Sequence, residues 1–221
     1  MNIILLGFST TGKSSIIKEI KTRIDESKIK LCDSDKFISS RYSGHIYELY
    51  LDNFEENDPI LRTKVTNLIN QLENQFLDQL IGYAGTYICA FGPNIHIRNN
   101  FDKYFLSHKP LTIFFKADLD TVYKSLIRRE SDHSEVVGNK KGFACWNQGV
   151  TRFFNFKTGL YESLSEHESK VKIKELIQIN ENQYSKYCDY EFDSTSIFDW
   201  HPNYDKNIKK ELIDLIIKNV G

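Results

Sequence analysis

The chain has no long hydrophobic run. Its uninterrupted apolar stretches are of strand length, such as Ile3 to Leu6, against the roughly 18 residues that a membrane helix needs. The start carries no basic segment ahead of its apolar run, and glycine and polar residues follow at once, which is not the layout of a secretory signal; a cytoplasmic protein with no membrane partner is expected. Cysteine is sparse. Cys32, Cys89, Cys145 and Cys188 lie far apart, with no CxxC pair and no histidine at zinc-finger spacing, which argues against a structural zinc site and for buried, reduced thiols. Neither charge sign is in excess: 29 Lys+Arg face 30 Asp+Glu, a net charge of -1. That balance gives no reason to expect nucleic acid or another polyanion as partner, although a local basic pocket remains open. Internal repeats and low-complexity tracts are absent, and none of the six histidines forms a pair at ligand spacing.

What is present is ordinary globular material, 40% apolar and 27% charged over 221 residues, enough for one ample domain. Ile3 to Leu6 reads as a strand buried on both faces. Apolar residues at 16, 17, 20 and 24 follow at helical spacing. Lys28 to Cys32, Thr86 to Phe91, Leu111 to Phe115 and Tyr190 to Phe192 read as further strands. Helices are expected from Lys36, broken near Ser43-Gly44, over Ile60 to Leu80, Asn99 to Leu106, Asp118 to Arg129, Gly159 to Leu176 and Asn207 to Val220. Asn53 to Pro59 reads as a polar loop. Ser131 to Asn155, with Gly138, Gly142 and Gly149, reads as a long loop or cover. Strands alternating with helices predict an α/β fold: a three-layer arrangement, a parallel sheet flanked by helices, with ligands at the carboxyl ends of its strands.

The stretch Gly7-Phe8-Ser9-Thr10-Thr11-Gly12-Lys13-Ser14 fits G-x-x-x-x-G-K-[ST] at every fixed position, between a strand and a helix as that motif requires. Gly7 and Gly12 permit a backbone whose N–H groups converge on phosphate oxygens. The start of the following helix adds its positive end. Lys13 supplies a point charge to the β- and γ-phosphates, and the Ser14 hydroxyl is placed to coordinate Mg²⁺. Thr10, Thr11 and Ser15 complete the expected nucleotide-binding set. A switch GTPase is disfavoured, because Asn139-Lys140-Lys141-Gly142 lacks the Asp that reads guanine. A motor or transporter ATPase would carry its strand-end acid much later than Asp33, which comes about 20 residues after the loop.

Asp33-Ser34-Asp35 places two carboxylates at i and i+2 after a strand. One can serve a metal-bound water beside Ser14 and the other an acceptor hydroxyl; the blander role is a helix cap, for which Asp35 is suited. With the loop ahead of it, this pattern resembles the shikimate kinases and related small-molecule kinases, over about residues 1–130 and 180–221. The resemblance implies a P-loop kinase with an enlarged lid. It makes Asp33 the metal-side acid and Asp35 the acid that holds or deprotonates the substrate. Arg62, in Leu61-Arg62, stands for the family's F-R pair, Gly92 for one member of its glycine triplet, and Arg98 for a substrate-binding base nearby. Arg128 matches an arginine that packs on adenine before the lid. In three places the chain departs: Phe91-Gly92-Pro93 retains a single glycine of the triplet, Val65 stands for a glutamate, and Asn180, in Asn180-Glu181-Asn182-Gln183-Tyr184, stands for a substrate-gripping arginine.

The expectation is therefore one P-loop kinase domain over 1–221, its core about 1–130 and 180–221 and its lid or insertion about 131–179. It would use ATP with Mg²⁺ to phosphorylate a hydroxyl of a small molecule. Lys13, Asp35 and Arg128 carry catalysis, Asp35, Arg62, Gly92 and Arg98 hold the acceptor, and Ser14 and Asp33 hold the metal. Arg128-Arg129 and Lys140-Lys141 flank the lid, where cations can neutralise charge during transfer. Arg152 and Lys157, among Phe153, Phe154 and Phe156, form either an acceptor wall or a self-packed loop. His96 is expected to face the site; Trp146 and Trp200 are expected in core or interface. Two other readings remain: a kinase of nucleosides, nucleotides or nucleic-acid ends, and a nucleotide-binding module that has lost phosphotransfer.

Overall fold

Ile3, Ile4, Leu5 and Leu6 are wholly shielded from solvent, and each such side chain contributes about 1.5–3 kcal/mol on burial. They form strand β1 (Ile3–Gly7) at the centre of the sheet. This is a computed structural model, and it describes residues 1–42, 59–137, 150–155 and 160–220. The five strands of the sheet run parallel in the order β2-β3-β1-β4-β7, where β2 is Ile29–Asp33, β3 Thr86–Ala90, β4 Leu111–Lys116 and β7 Tyr190–Asp193. Ile3 lies opposite Ile88 on one side and Leu111 on the other.

Period-two alternation divides the core between the two faces. Ile3 and Leu5 pack with Ile88, Ile113 and Phe115 beneath α1 (Lys13–Ile20) and α7 (Lys206–Val220). Ile4 and Leu6 pack with Cys89, Phe91 and Phe114 beneath α3 (Pro59–Ile81), α4 (Phe101–His108) and α6 (Glu166–Tyr184). On that second face the Tyr87 and Tyr104 hydroxyls pair at 2.8 Å, and burial pushes both phenols above their ordinary range. The chain leaves β1 for a helix on one face and β3 for elements on the other, so a crevice opens at the carboxyl ends of the central strands.

The expected α/β architecture is present, with differences at several boundaries. The helix after β4, here α5 (Leu119–Val137), does not stop at Arg129; residues 130–137 contain no glycine or proline to end it. The expected helix over Gly159 to Leu176 is instead strand β6 (Leu160–Ser163), paired antiparallel with β5 (Arg152–Asn155), followed by α6. Ser165 and Glu168 start α6 as a capping box, each satisfying the other's backbone N–H. Helix α2 (Ser34–Tyr42) follows β2 directly. Gly138, Lys140, Lys141, Gly142, Cys145, Trp146, Gly149, Phe156, Lys157 and the loop at 53–58 lie outside the described residues. Cys32 and Cys89 are buried as expected, whereas Cys188 is half-buried. Among the described residues, no helix is long and apolar enough to cross a membrane.

Candidate active site

The phosphate-loop motif forms the turn from β1 into α1. Gly7 and Gly12 have φ of 141° and 89°, backbone that side chains rarely adopt. A Cβ on Gly7 would stand 2.5 Å from the Phe115 carbonyl oxygen. Thr10 also takes a positive φ, 65°, at the turn between them. The Lys13 ammonium donates to the carbonyls of Gly7 and Phe8, 2.8 Å each, and the Thr11 hydroxyl donates to the Phe8 carbonyl at 2.9 Å. Lys13 is thereby held over the loop from inside the first turn of α1.

Ser14 and Asp33 meet across 19 residues of sequence: the Ser14 hydroxyl donates to Asp33 Oδ2 at 2.8 Å. The second Asp33 oxygen accepts from the backbone N–H of Asp35 and Lys36. Asp33, not Asp35, is therefore the cap of α2, and the cap fixes its carboxylate beside Ser14. A hydroxyl and one carboxylate suit Mg²⁺, which takes one or two protein oxygens and completes its shell with phosphates and water. No cluster of three or more metal-ligating side chains occurs among the described residues.

A cavity of about 420 Å³ joins these groups. It is lined by the loop residues Thr10 to Ser15, by Asp33 and Asp35, by Gly92 and Pro93, and by Arg128. Arg62 lies in the first turns of α3, with its side chain outside the described residues, as are those of Val65, Arg129, Arg152, Phe153 and Phe154. Arg98 does not line the cavity. Its Nε donates to Glu73 Oε2 of α3, and the two side chains are 9% and 6% exposed. Burial raises the Glu73 carboxyl above its usual range, with the Arg98 charge opposing that shift and the nearby Asp35 charge reinforcing it.

Several elements converge at Gly92. A Cβ there would meet Asp35 Oδ1 at 3.1 Å, Ser34 Oγ at 3.3 Å and Glu73 Oε1 at 3.7 Å. Its N–H donates to Ser34 Oγ at 2.8 Å, and the fully buried Tyr184 hydroxyl donates to the carbonyls of Gly92 and Pro93. His96, expected to face the site, turns away from the cavity: its ring meets Tyr184 edge-on at 4.9 Å and its Nδ1 lies 3.1 Å from the Pro93 carbonyl. The Pro93 carbonyl can only accept, so Nδ1 is the donor there, and burial lowers the pKa of the ring. Asn180 is buried in a narrow gap beside Phe8 and Thr11, apart from the main cavity.

Sequence reasoning did not assign Ser125, Phe198, Asp199 or Trp200 to the site, and all four line the cavity. Trp200, expected in core or interface, lines it with Phe198 and Asp199, because the segment after β7 folds back over Gly12, where Ile197 Cδ1 would touch an added Cβ at 2.9 Å. Ser125, one turn before Arg128, lines it with a buried hydroxyl that has no hydrogen-bond partner. Glu73 was missed too, although a signal existed: it falls four residues after Ile69 and four before Leu77, on the apolar stripe of α3.

No family model and no curated protein matches the sequence. Solved structures do match. A shikimate kinase from Bacteroides thetaiotaomicron superposes with a TM-score of 0.58 at 13% identity, covering 100% of this chain and 98% of that one. A shikimate kinase from Acinetobacter baumannii, in complex with shikimate, gives 0.58 at 13% identity over 99% and 93%. The chain shares the fold of these two kinases. Deoxyadenosine kinase from M. mycoides, solved with bound dATP, shares it with a TM-score of 0.52 at 12% identity, over 99% of this chain and 100% of that one. The resemblance carried by Gly7–Ser14 and Asp33–Asp35 thus holds for the fold.

Proposed function

We propose that this chain is an ATP-dependent phosphotransferase that moves the γ-phosphoryl group to a hydroxyl of a small molecule, as one domain over 1–221 with an insertion at about 131–179. The observation that carries this reading is the meeting of the phosphate loop, the Ser14–Asp33 pair and the second carboxylate, Asp35, in one cavity. The neighbours' printed names, shikimate kinase and deoxyadenosine kinase, agree with such a reaction and place nucleosides among the acceptors to be tried.

In this reading the loop amides, Lys13 and the start of α1 hold the β- and γ-phosphates. Ser14 and Asp33 hold Mg²⁺, which when bound neutralises phosphate charge. Arg128, Phe198 and Trp200 line the part of the cavity left for the base, where the cation and the rings offer stacking surfaces. Asp35 accepts a hydrogen bond from the acceptor hydroxyl, orients its oxygen toward the γ-phosphorus and takes its proton as the new P–O bond forms and the bond to the β-phosphate oxygen breaks. ADP and a phosphate monoester leave.

Asp35→Asn keeps the shape and removes the base. Transfer is expected to fall by about 10²–10⁴-fold, while ATP affinity, measured by calorimetry, stays within a factor of about two of wild type. Wild-type turnover in that variant would remove Asp35 from the mechanism. Tight ATP binding with no transfer by the wild type to any of a broad metabolite panel would favour a nucleotide-binding module instead.

A further inference from the structure

We infer that Tyr184, at the end of α6, is a positioning residue for phosphoryl transfer: its hydroxyl, together with Ser34, pins the Gly92–Pro93 turn against which the Asp35 carboxylate packs. This inference rests on the kinase reading above, with Asp35 as its acceptor-side carboxylate, and deepens it.

The peptide groups on both sides of Gly92 are held from behind the cavity. The Gly92 N–H donates to Ser34 Oγ at 2.8 Å, and the Tyr184 hydroxyl donates between the carbonyls of Gly92 and Pro93, at 3.0 and 2.9 Å. Asp35, Gly92 and Pro93 line the cavity; Ser34 and Tyr184 are buried and do not. The Tyr184 ring is itself fixed, by His96 edge-on at 4.9 Å, by Phe114 at 5.8 Å and by Phe101 at 6.3 Å, so its hydroxyl has little room to change partners. Burial above all, and then the Glu73 charge, holds the phenol well above its ordinary range, which keeps it a donor. Asp35 rests on the front of the same turn. A Cβ on Gly92 would stand 3.1 Å from Asp35 Oδ1, tighter than ordinary van der Waals contact, so the carboxylate packs on the bare Cα of the glycine. That seat bounds the carboxylate on this side whatever else it touches, and a displacement of about 1 Å in a reacting geometry costs on the order of 10²-fold. The carbonyls do not depend on Tyr184 alone. That of Gly92 also accepts from the Ile95 N–H at 3.4 Å, and that of Pro93 from His96 Nδ1 at 3.1 Å. Tyr184→Phe, which keeps the ring contacts, therefore loosens the turn rather than unfolding it.

The experiment is a double-mutant cycle between Tyr184→Phe and Asp35→Asn. It reads ADP release at saturating ATP and Mg²⁺ with shikimate, with deoxyadenosine or, when neither is added, with water as the acceptor, and ATP affinity by calorimetry. With whichever acceptor turns over fastest, Tyr184→Phe is expected to lower kcat by about tenfold while ATP affinity stays within about twofold of wild type. In the Asp35→Asn background the same change is expected to lower kcat by less than about twofold, because the group it positions has lost its function. Gly92→Ala, which sets a methyl against Asp35 Oδ1, should follow the same pattern with a larger fall, about 10²-fold. A merely structural role for Tyr184 would lower transfer by the same factor in both backgrounds; that result overturns the inference and keeps the kinase reading, as does a wild-type kcat in Tyr184→Phe. Wild-type turnover in Asp35→Asn removes the carboxylate from the mechanism and the inference with it. ADP release with no acceptor at all, water included, while ATP still binds, would be absent only if the kinase reading were wrong, and that absence overturns both. Should Tyr184→Phe fail to fold, Gly92→Ala in the same cycle decides the matter.

Discussion

The two sides of the cavity are built in opposite ways. The phosphate-loop side is one contiguous stretch, Gly7 to Ser15, shaped largely by short-range bonds, Lys13 to Gly7 and Phe8 and Thr11 to Phe8, with Ser14 reaching out to Asp33 of β2. The acceptor side is assembled from β2, α2, α3, the turn after β3 and the end of α6, and its contacts span 25 to 92 residues of sequence, from Arg98–Glu73 to Tyr184–Gly92. A local device can be kept whole while the rest of a chain changes around it. A device made of distant partners can alter its chemistry through any one of them. The phosphate motif is complete at every fixed position.

Breaking the acceptor side should therefore cost the fold, and breaking the donor side should cost the reaction. Glu73→Ala leaves the Arg98 guanidinium buried without its partner; a loss of about 3–5 kcal/mol is expected in denaturant unfolding. If its unfolding midpoint matched wild type, the pair would hold nothing together. Lys13→Ala is expected to lower transfer by about 10²–10³-fold while disturbing the unfolding midpoint less than Glu73→Ala does. A larger disturbance would mean that the loop, too, depends on its tertiary setting.

Gly12→Ala tests where the two modes meet, because its backbone is local strain and its neighbour, Ile197 Cδ1 at 2.9 Å, is a tertiary contact. It should cost about 1–3 kcal/mol, and an added Ile197→Ala should recover part of that if the contact matters. The smallest effect belongs to His96. Burial depresses its folded pKa below the ordinary 6.5, so below pH 6.5 the unfolded chain takes up a proton that the folded chain does not. Stability should decline as pH falls from 6.5 toward the folded pKa and then level off. In His96→Gln that segment of the stability–pH curve should be flatter; an unchanged slope would assign it to another group.

Legibility followed the same division. The strand, loop and α1 could be read directly because spacing alone defines them, and the parallel sheet followed from the alternation of elements. Boundaries went astray where a helix met no breaker, as in 130–137, or where a cap was overlooked, as at Ser165. Asp33 and Asp35 were found as a pair, but their division of labour, with Asp33 as both helix cap and partner of Ser14, depends on where α2 begins. Glu73 reads as one more charge on a polar helix until Ile69 and Leu77 are seen to place it on the buried stripe. Phe198, Asp199 and Trp200 carry no local pattern at all; they reach the cavity because β7 pairs with β4 and returns the chain to the loop.

By itself, then, the sequence determined the phosphate loop, its flanking elements and the class of fold, because backbone freedom at Gly7 and Gly12 and the apolar periods of 2 and 3.6 act over a few residues. Only the tertiary structure decided the character of the acceptor wall. The ion pair of Arg98 with Glu73, the engagement of the Gly92 N–H by Ser34 and the turning of His96 toward Tyr184 are choices of partner between distant segments, and burial, which makes those choices matter, exists only once the chain has folded.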